Sequence, residues 1–178
     1  MDGPQLHVSE MIIQPDTIYN AALAYAEINW HVLPVHAPMG NGCSCFIKGC
    51  TSIGKHPVFK GGWKIASIDP NQIKEWFDKG LKRNLAIATG AISGIYILDV
   101  DGREGEEALR KLEAKYDQLP ATASVITGRG RHLYFKSPPE KIPCSAGTLG
   151  RGLDIRGDGG FIIAPPSLHH SGARYEWI

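Results

Sequence analysis

Four segments of this 178-residue chain carry residue types that could do chemistry. The first is Ile95-Tyr-Ile-Leu-Asp-Val-Asp101, an apolar run ending in two carboxylates. Side chains alternate across a strand, so Asp99 and Asp101 share one face, ~7 Å apart. Two carboxylates facing the same way repel unless a cation lies between them, and all-oxygen ligands suit Mg²⁺ or Mn²⁺. Two such ions could activate an attacking hydroxyl and stabilise a leaving pyrophosphate. The competing reading is a solvated pair at a strand end, opening a turn at Gly102. Asp-x-Asp after an apolar run also occurs in sugar-nucleotide transferases.

The second segment is Gly152-Leu-Asp-Ile-Arg-Gly-Asp-Gly-Gly160. A strand over Leu153 to Arg156 puts Asp154 and Arg156 on one face, a pairing that suits a metal plus a phosphate. An internal ion pair, worth little if exposed, is the alternative. Asp158 reads as a turn former. The third is Thr127-Gly-Arg-Gly-Arg-His-Leu-Tyr-Phe135, a glycine-rich loop running into a strand. Its glycines let backbone N–H groups approach an anion, and Arg129 and Arg131 flank the start of the strand. His132 could bind a phosphate or transfer a proton, with a purely structural histidine as the alternative. His132, Tyr134 and Lys136 would share a face, with Leu133 and Phe135 in the core.

The fourth is Cys43-x-Cys45-x₄-Cys50-x₅-His56, four potential ligands within fourteen residues. A closed tetrahedral Zn²⁺ site needs four such ligands, and the loop over about 40–62 has too few apolar residues to order itself. Four ligands leave no open position, so the zinc would be structural. Cys144 or His36 could replace one ligand, and reduced thiols in a mobile loop are the competing reading. Lys55, in Gly54-Lys-His-Pro57, is either a charge directed at a substrate backbone or a plain surface lysine.

The elements that must position these residues follow from periodicity and punctuation. Asp16 would cap a helix from Thr17 to about Asn29, with Ile18, Ala22, Tyr25 and Ala26 inward. His31 to Val35 reads as a strand. Asp69-Pro70 opens a second helix that ends near Gly80 and buries Ile73, Trp76 and Phe77. Leu85 to Ala88 and Ile95 to Val100 read as strands, and Glu104 to Tyr116 as a third helix with Ala108, Leu109 and Leu112 inward. Strand signals follow at Ala123 to Ile126, His132 to Lys136, Leu153 to Arg156, Phe161 to Ala164 and Arg174 to Trp177. Helices and strands are partly segregated, so the class is α+β with a largely antiparallel or mixed sheet.

Length and composition fit one domain of an ordinary soluble globular chain and exclude disorder, collagen and coiled coil. No window reaches the ~18 consecutive apolar residues of a membrane span. Met1 to Gln14 lacks a basic n-region, so no secretory signal is read and the expected compartment is the cytoplasm. The chain stops at Tyr175-Glu-Trp-Ile178 in mid-strand pattern, which suggests the N-terminal piece of a longer protein.

Together the segments resemble the bifunctional primase–polymerase (prim-pol) family of the archaeo-eukaryotic primase superfamily. The likeness covers nearly the whole chain: Asn29-Trp-His-Val-Leu-Pro34, the Cys-x-Cys…Gly-Lys-His-Pro loop, Asp69-Pro70…Trp76 and Asn84-Leu-Ala-Ile-Ala-Thr-Gly90. It continues through Leu98-Asp-Val-Asp101, Leu119-Pro120, His132-Leu-Tyr-Phe135 and Gly152 to Ser167. The resemblance implies a core of an RRM-like sheet unit joined to a second α/β unit, with the zinc loop inserted. It implies that Asp99 and Asp101 bind two catalytic Mg²⁺ or Mn²⁺ ions, that Asp154 is the third carboxylate, and that His132 contacts the incoming nucleotide's phosphates. Arg131 and Arg156 would assist with the triphosphate. The family often has Ser two places before that His, where this chain has Gly130. The implied activity is template-directed nucleotidyl transfer, DNA priming or polymerisation, on a DNA template and primer with NTP or dNTP, next to a C-terminal helicase or replication module. Alternatives are a metal-dependent glycosyltransferase using the Asp-x-Asp strand, or a non-catalytic zinc-stabilised DNA-binding or replication-initiation module.

The net charge of +1 shows no overall basic footprint. It averages two opposed regions, however: residues 127–160 hold six basic side chains and three acidic ones, two of the latter beside the proposed site. Weak, salt-sensitive template binding is the expectation.

Overall fold

The structure is a computed structural model that describes residues 17–78 and 80–178. Helix α1 spans Ile18–Glu27, and the Thr17 hydroxyl accepts the Asn20 N–H at 3.1 Å to cap it. The expected cap, Asp16, lies outside the described residues. Strands β1 (Val32–His36), β2 (Pro38–Met39) and β3 (Gly42–Cys43) follow, the last two forming a hairpin that opens the cysteine loop. A 3-10 turn at Gly62–Ile65 leads to α2 (Pro70–Phe77). Its cap is Asp69, whose carboxylate accepts the Asn71 N–H, with Pro70 in the first turn as the sequence predicts.

Strand β4 (Arg83–Ala88) is followed by a turn and then by β5 (Ile95–Asp101), which runs into α3 (Gly102–Lys115) without a loop between strand and helix. The remainder is β6 (Ser124–Ile126), β7 (Gly130–Lys136), β8 (Ser145–Ala146), β9 (Leu153–Arg156), β10 (Phe161–Ile163) and β11 (Glu176–Trp177). The result is α+β with two larger sheets, ordered β1-β4-β10 and β11-β6-β7-β5-β9-β8, in which every named strand pair is antiparallel.

Strand β5 lies at the centre of the larger sheet and is covered on both faces. Leu98, Val100, Leu133, Phe135 and Leu153 pack against Leu109 of α3. On the opposite face Ile95, Ile97, Val125, Tyr134 and Trp177 join one core with α1, α2 and the smaller sheet. The sequence places Tyr134 on an open face with His132 and Lys136. In the fold it is fully buried, stacked on Trp30 at 5.8 Å, because the smaller sheet covers that face. Only Lys136 of the three is exposed. The aromatic cluster is tied together by polar tips: the Trp177 indole donates to the Tyr25 hydroxyl at 2.9 Å, which donates to the Pro165 carbonyl at 3.0 Å.

Candidate functional site

On β5, Ile95, Ile97, Asp99 and Asp101 share one face. The first two are buried in the core, and the last two emerge beyond it into a cleft of about 460 Å³. Pairing on both sides of β5 sets the site: Asp99 lies opposite His132 of β7 and opposite Asp154 of β9. Three adjacent strands therefore present His132, Asp99 and Asp154 in one row, and Arg156 stands in the next row opposite Ile97. Lys55 and Tyr175 also line the cleft, with Phe161 and Ile163 of β10 forming apolar wall.

Charges in this row are only partly matched. Arg156 Nη2 is 2.8 Å from Asp154 and 3.9 Å from Asp99. Arg129 forks onto Asp101, its Nη2 2.5 Å and its Nε 3.4 Å from the two carboxylate oxygens. Burial pushes the Asp99 carboxyl up to about 6, and the neighbouring Asp101 and Asp154 carboxylates add to this against the pull of Arg156 and Lys55. Burial likewise pushes His132 down to about 3, assisted by Lys55 and Arg156. The ring is neutral at pH 7. Its Nε2 is 3.6 Å from Asp99, and its Nδ1 is buried with no hydrogen-bond partner among the described residues. A neutral His132 would meet a phosphate as a hydrogen-bond donor, and the positive charge in the cleft belongs to Lys55 and Arg156.

Asp99, Asp101, His132 and Arg156 thus line one cleft, and Asp154 stands beside Asp99 on the neighbouring strand. Arg131 does not join them. It alternates with His132 and points to the α3 face, where its guanidinium forks onto Glu106 at 2.9 and 3.1 Å. Asp158 is a turn former, as read: its two oxygens accept the Ala91 and Ile142 N–H groups at 2.9 and 3.0 Å. Tyr175 also faces this site, its ring 5.7 Å from that of His132. No local motif marks it. The donors do not form a ready-made cage for one ion, since Asp154 is turned to Arg156 and the Gly147 N–H, and Asp101 to Arg129.

The cysteine loop is different. The donor atoms of Cys43, Cys45, Cys50 and His56 all lie within 4.8 Å of one another. His56 Nε2 is 3.5 Å from both the Cys43 and Cys50 sulfurs, close to the edge of a tetrahedron with Zn–S and Zn–N bonds of roughly 2.3 and 2.0 Å. Burial opposes ionisation of Cys43, but N–H groups of Gly54 and Cys45 and the His56 ring outweigh it and bring the thiol down to about 6. The donor set fits Zn²⁺. The two alternative ligands are engaged otherwise: His36 Nδ1 meets Ser44, its ring tilted against that of His56 at 4.5 Å, and Cys144 Sγ accepts the Gly157 N–H. Metal analysis of the purified chain should find one zinc per chain, reduced to none by Cys45→Ser. A zinc-free protein with a native loop would remove this assignment.

The family model described as "Bifunctional DNA primase/polymerase, N-terminal" (Prim-Pol) matches residues 22–178. No curated protein matches the chain. No helix among the described residues is long and apolar enough to cross a membrane.

Proposed function

The chain belongs to the Prim-Pol family of bifunctional DNA primase/polymerase N-terminal domains, and on that premise we propose that this domain is the catalytic unit for template-directed nucleotidyl transfer, adding NTP or dNTP to a primer with release of pyrophosphate. The observation that carries the reading is the row His132–Asp99–Asp154 across three paired strands, with Asp101 one step along the same face. The strand order β6-β7-β5-β9, with α3 following β5, supports an RRM-like unit in which a loop stands where a second helix would be.

Asp99, Asp101 and Asp154 would hold two divalent cations, Mg²⁺ or Mn²⁺. When bound, these ions supply Lewis-acid stabilisation of the attacking 3′-hydroxyl and the departing pyrophosphate. The raised affinity of Asp99 for protons fits this role, because a buried carboxylate among like charges gains most from a cation. Arg129 and Arg156 screen Asp101 and Asp154. Released from them, Arg156 would turn to the triphosphate, and His132 would donate a hydrogen bond to it. Catalysis is then mainly positioning and charge stabilisation. The cysteine loop is a structural zinc unit. A helicase or replication module on a longer chain, and action in the cytoplasm, complete the proposal.

Primer extension tests it. We expect incorporation that requires template, primer and either Mg²⁺ or Mn²⁺. Sugar-nucleotide turnover without a template would point instead to glycosyl transfer, and DNA binding without incorporation to a non-catalytic module.

A further inference from the structure

We propose that Lys55 binds the phosphates of the incoming nucleotide and that zinc on Cys43, Cys45, Cys50 and His56 holds it in place, so that zinc occupancy sets nucleotide affinity. The inference rests on the nucleotidyl-transfer reading above. Lys55 is the one cleft-lining residue contributed by the 40–62 loop, beside Asp99, Asp101, His132 and Arg156. Arg156, Arg129 and Arg131 are each committed to a carboxylate, whereas Lys55 makes no ion pair among the described residues. Of the two cations lining the cleft, Arg156 is held by Asp154 until an ion displaces it, and Lys55 is open to a ligand from the start. Its charge is felt by Asp99, His132 and His169, each of which it disposes to release a proton.

The backbone around Lys55 is pinned on both sides. On one side the buried Asn84 amide donates to the Gly54 carbonyl at 3.1 Å and to the Leu168 carbonyl at 2.8 Å, and its oxygen accepts the Leu168 N–H at 3.0 Å. Gly54 has φ +73°, and a Cβ there would lie 2.7 Å from Pro38 Cδ, so glycine alone lets the loop press against the β2–β3 hairpin. On the other side His56 faces the sulfurs of Cys43 and Cys50, and its carbonyl accepts the His36 N–H at 2.9 Å. Lys55 therefore sits between a buried amide clamp and a metal ligand. Without zinc the second anchor loses the partner it shares with three cysteines. Neither hydrophobic core includes a residue of 40–62, so the loop can loosen while both sheets stay folded. A lysine head on a flexible stem is costly to order, and a fixed backbone lowers that cost on binding.

The test uses the whole zinc-loaded chain and measures Mn²⁺–dATP binding by calorimetry without template, zinc content, and primer-extension kinetics. Lys55→Ala should weaken dATP binding about tenfold, seen mainly in KM rather than kcat and with zinc content unchanged. Lys55→Arg should recover much of the loss. Cys45→Ser should lose zinc, keep the far-UV spectrum of the sheets and weaken dATP by a similar factor. In the double variant the two losses should not multiply, because they act through one contact. Wild-type affinity in Lys55→Ala, or losses that multiply to about 100-fold, would overturn the proposal. If the wild-type chain itself neither binds dATP nor extends a primer, the nucleotidyl-transfer reading falls and this one with it. If it does both and Lys55→Ala matches it, this inference alone falls.

Discussion

Asp99→Asn is expected to abolish nucleotide incorporation, by at least ~10³-fold, while making the protein more stable. The two effects share one cause. Asp99 has only 15% of its side chain exposed and stands in a row with Asp154 and one step from Asp101. Its carboxyl is pushed up to about 6 from an ordinary 3.8 by burial, then by those neighbours. A folded-state value above the unfolded one means that the folded chain keeps its proton while the unfolded chain releases it. Stability is therefore lost as pH rises from about 4 to about 6 and stays lost above that. A shift of this size corresponds to roughly 1–3 kcal/mol, which asparagine, being uncharged, should restore. For a chain of this length the gain is several degrees in Tm. Urea midpoints should separate the two proteins at pH 8 and bring them together near pH 4. Mn²⁺ should raise the Tm of the wild type, because it binds the folded carboxylates, and leave Asp99→Asn nearly unmoved. An Asn variant that still extends primers, or that melts below the wild type at pH 8, would count against the carboxylate row as an ion site.

That row shows what could be read from the sequence and what could not. Alternation along single strands places Asp99 with Asp101, and Asp154 with Arg156, and both pairs stand on common faces as expected. The Cys43–His56 cluster was legible for the same reason: its ligands are neighbours in the chain, and the loop needs only to close on itself. Register between strands is not local. His132 and Asp154 meet Asp99 from far along the chain, through pairings fixed by the packing of two cores, and only the family resemblance named them together. Parity, in contrast, already argued against Arg131. It is adjacent to His132, so one of the two must face α3, and Glu106 holds it there. Tyr134 was misplaced because alternation assumes that one face of a sheet is open, whereas β5 and β7 are covered on both. Lys55 is legible as a charge, but its direction depends on the Asn84 amide reaching the Gly54 carbonyl from thirty residues along the chain.

Gly130→Ser, which would restore the residue the family often carries two places before the histidine, should damage this protein. The resemblance suggests either a lost hydroxyl contact there or a backbone N–H serving in its place. The structure gives another account. Gly130 pairs with Asp101 at the end of the β5–β7 ladder, and a Cβ there would lie 1.9 Å from the Val100 carbonyl oxygen and 3.0 Å from the Gly102 N. Both are backbone atoms, of β5, which carries Asp99 and Asp101, and of the first residue of α3, so neither can yield by a side-chain rotation. The start of β7 is fixed as well: the Gly130 N–H donates to Thr127 Oγ1 at 2.9 Å, and its carbonyl accepts the Thr127 N–H. Relief needs the two strands to part by more than an ångström, which should cost roughly 3 kcal/mol, a loss of several degrees in Tm. The same movement shifts Asp101 and the Arg129 fork against His132, and a displacement of about 1 Å in a positioned site can cost about 10²-fold in rate. Gly130→Ala should be as damaging as Gly130→Ser, because the Cβ and not the hydroxyl is at fault. Activity equal to or above wild type in Gly130→Ser, with Gly130→Ala impaired, would show instead that the strands yield and that the hydroxyl contact is what the chain lacks.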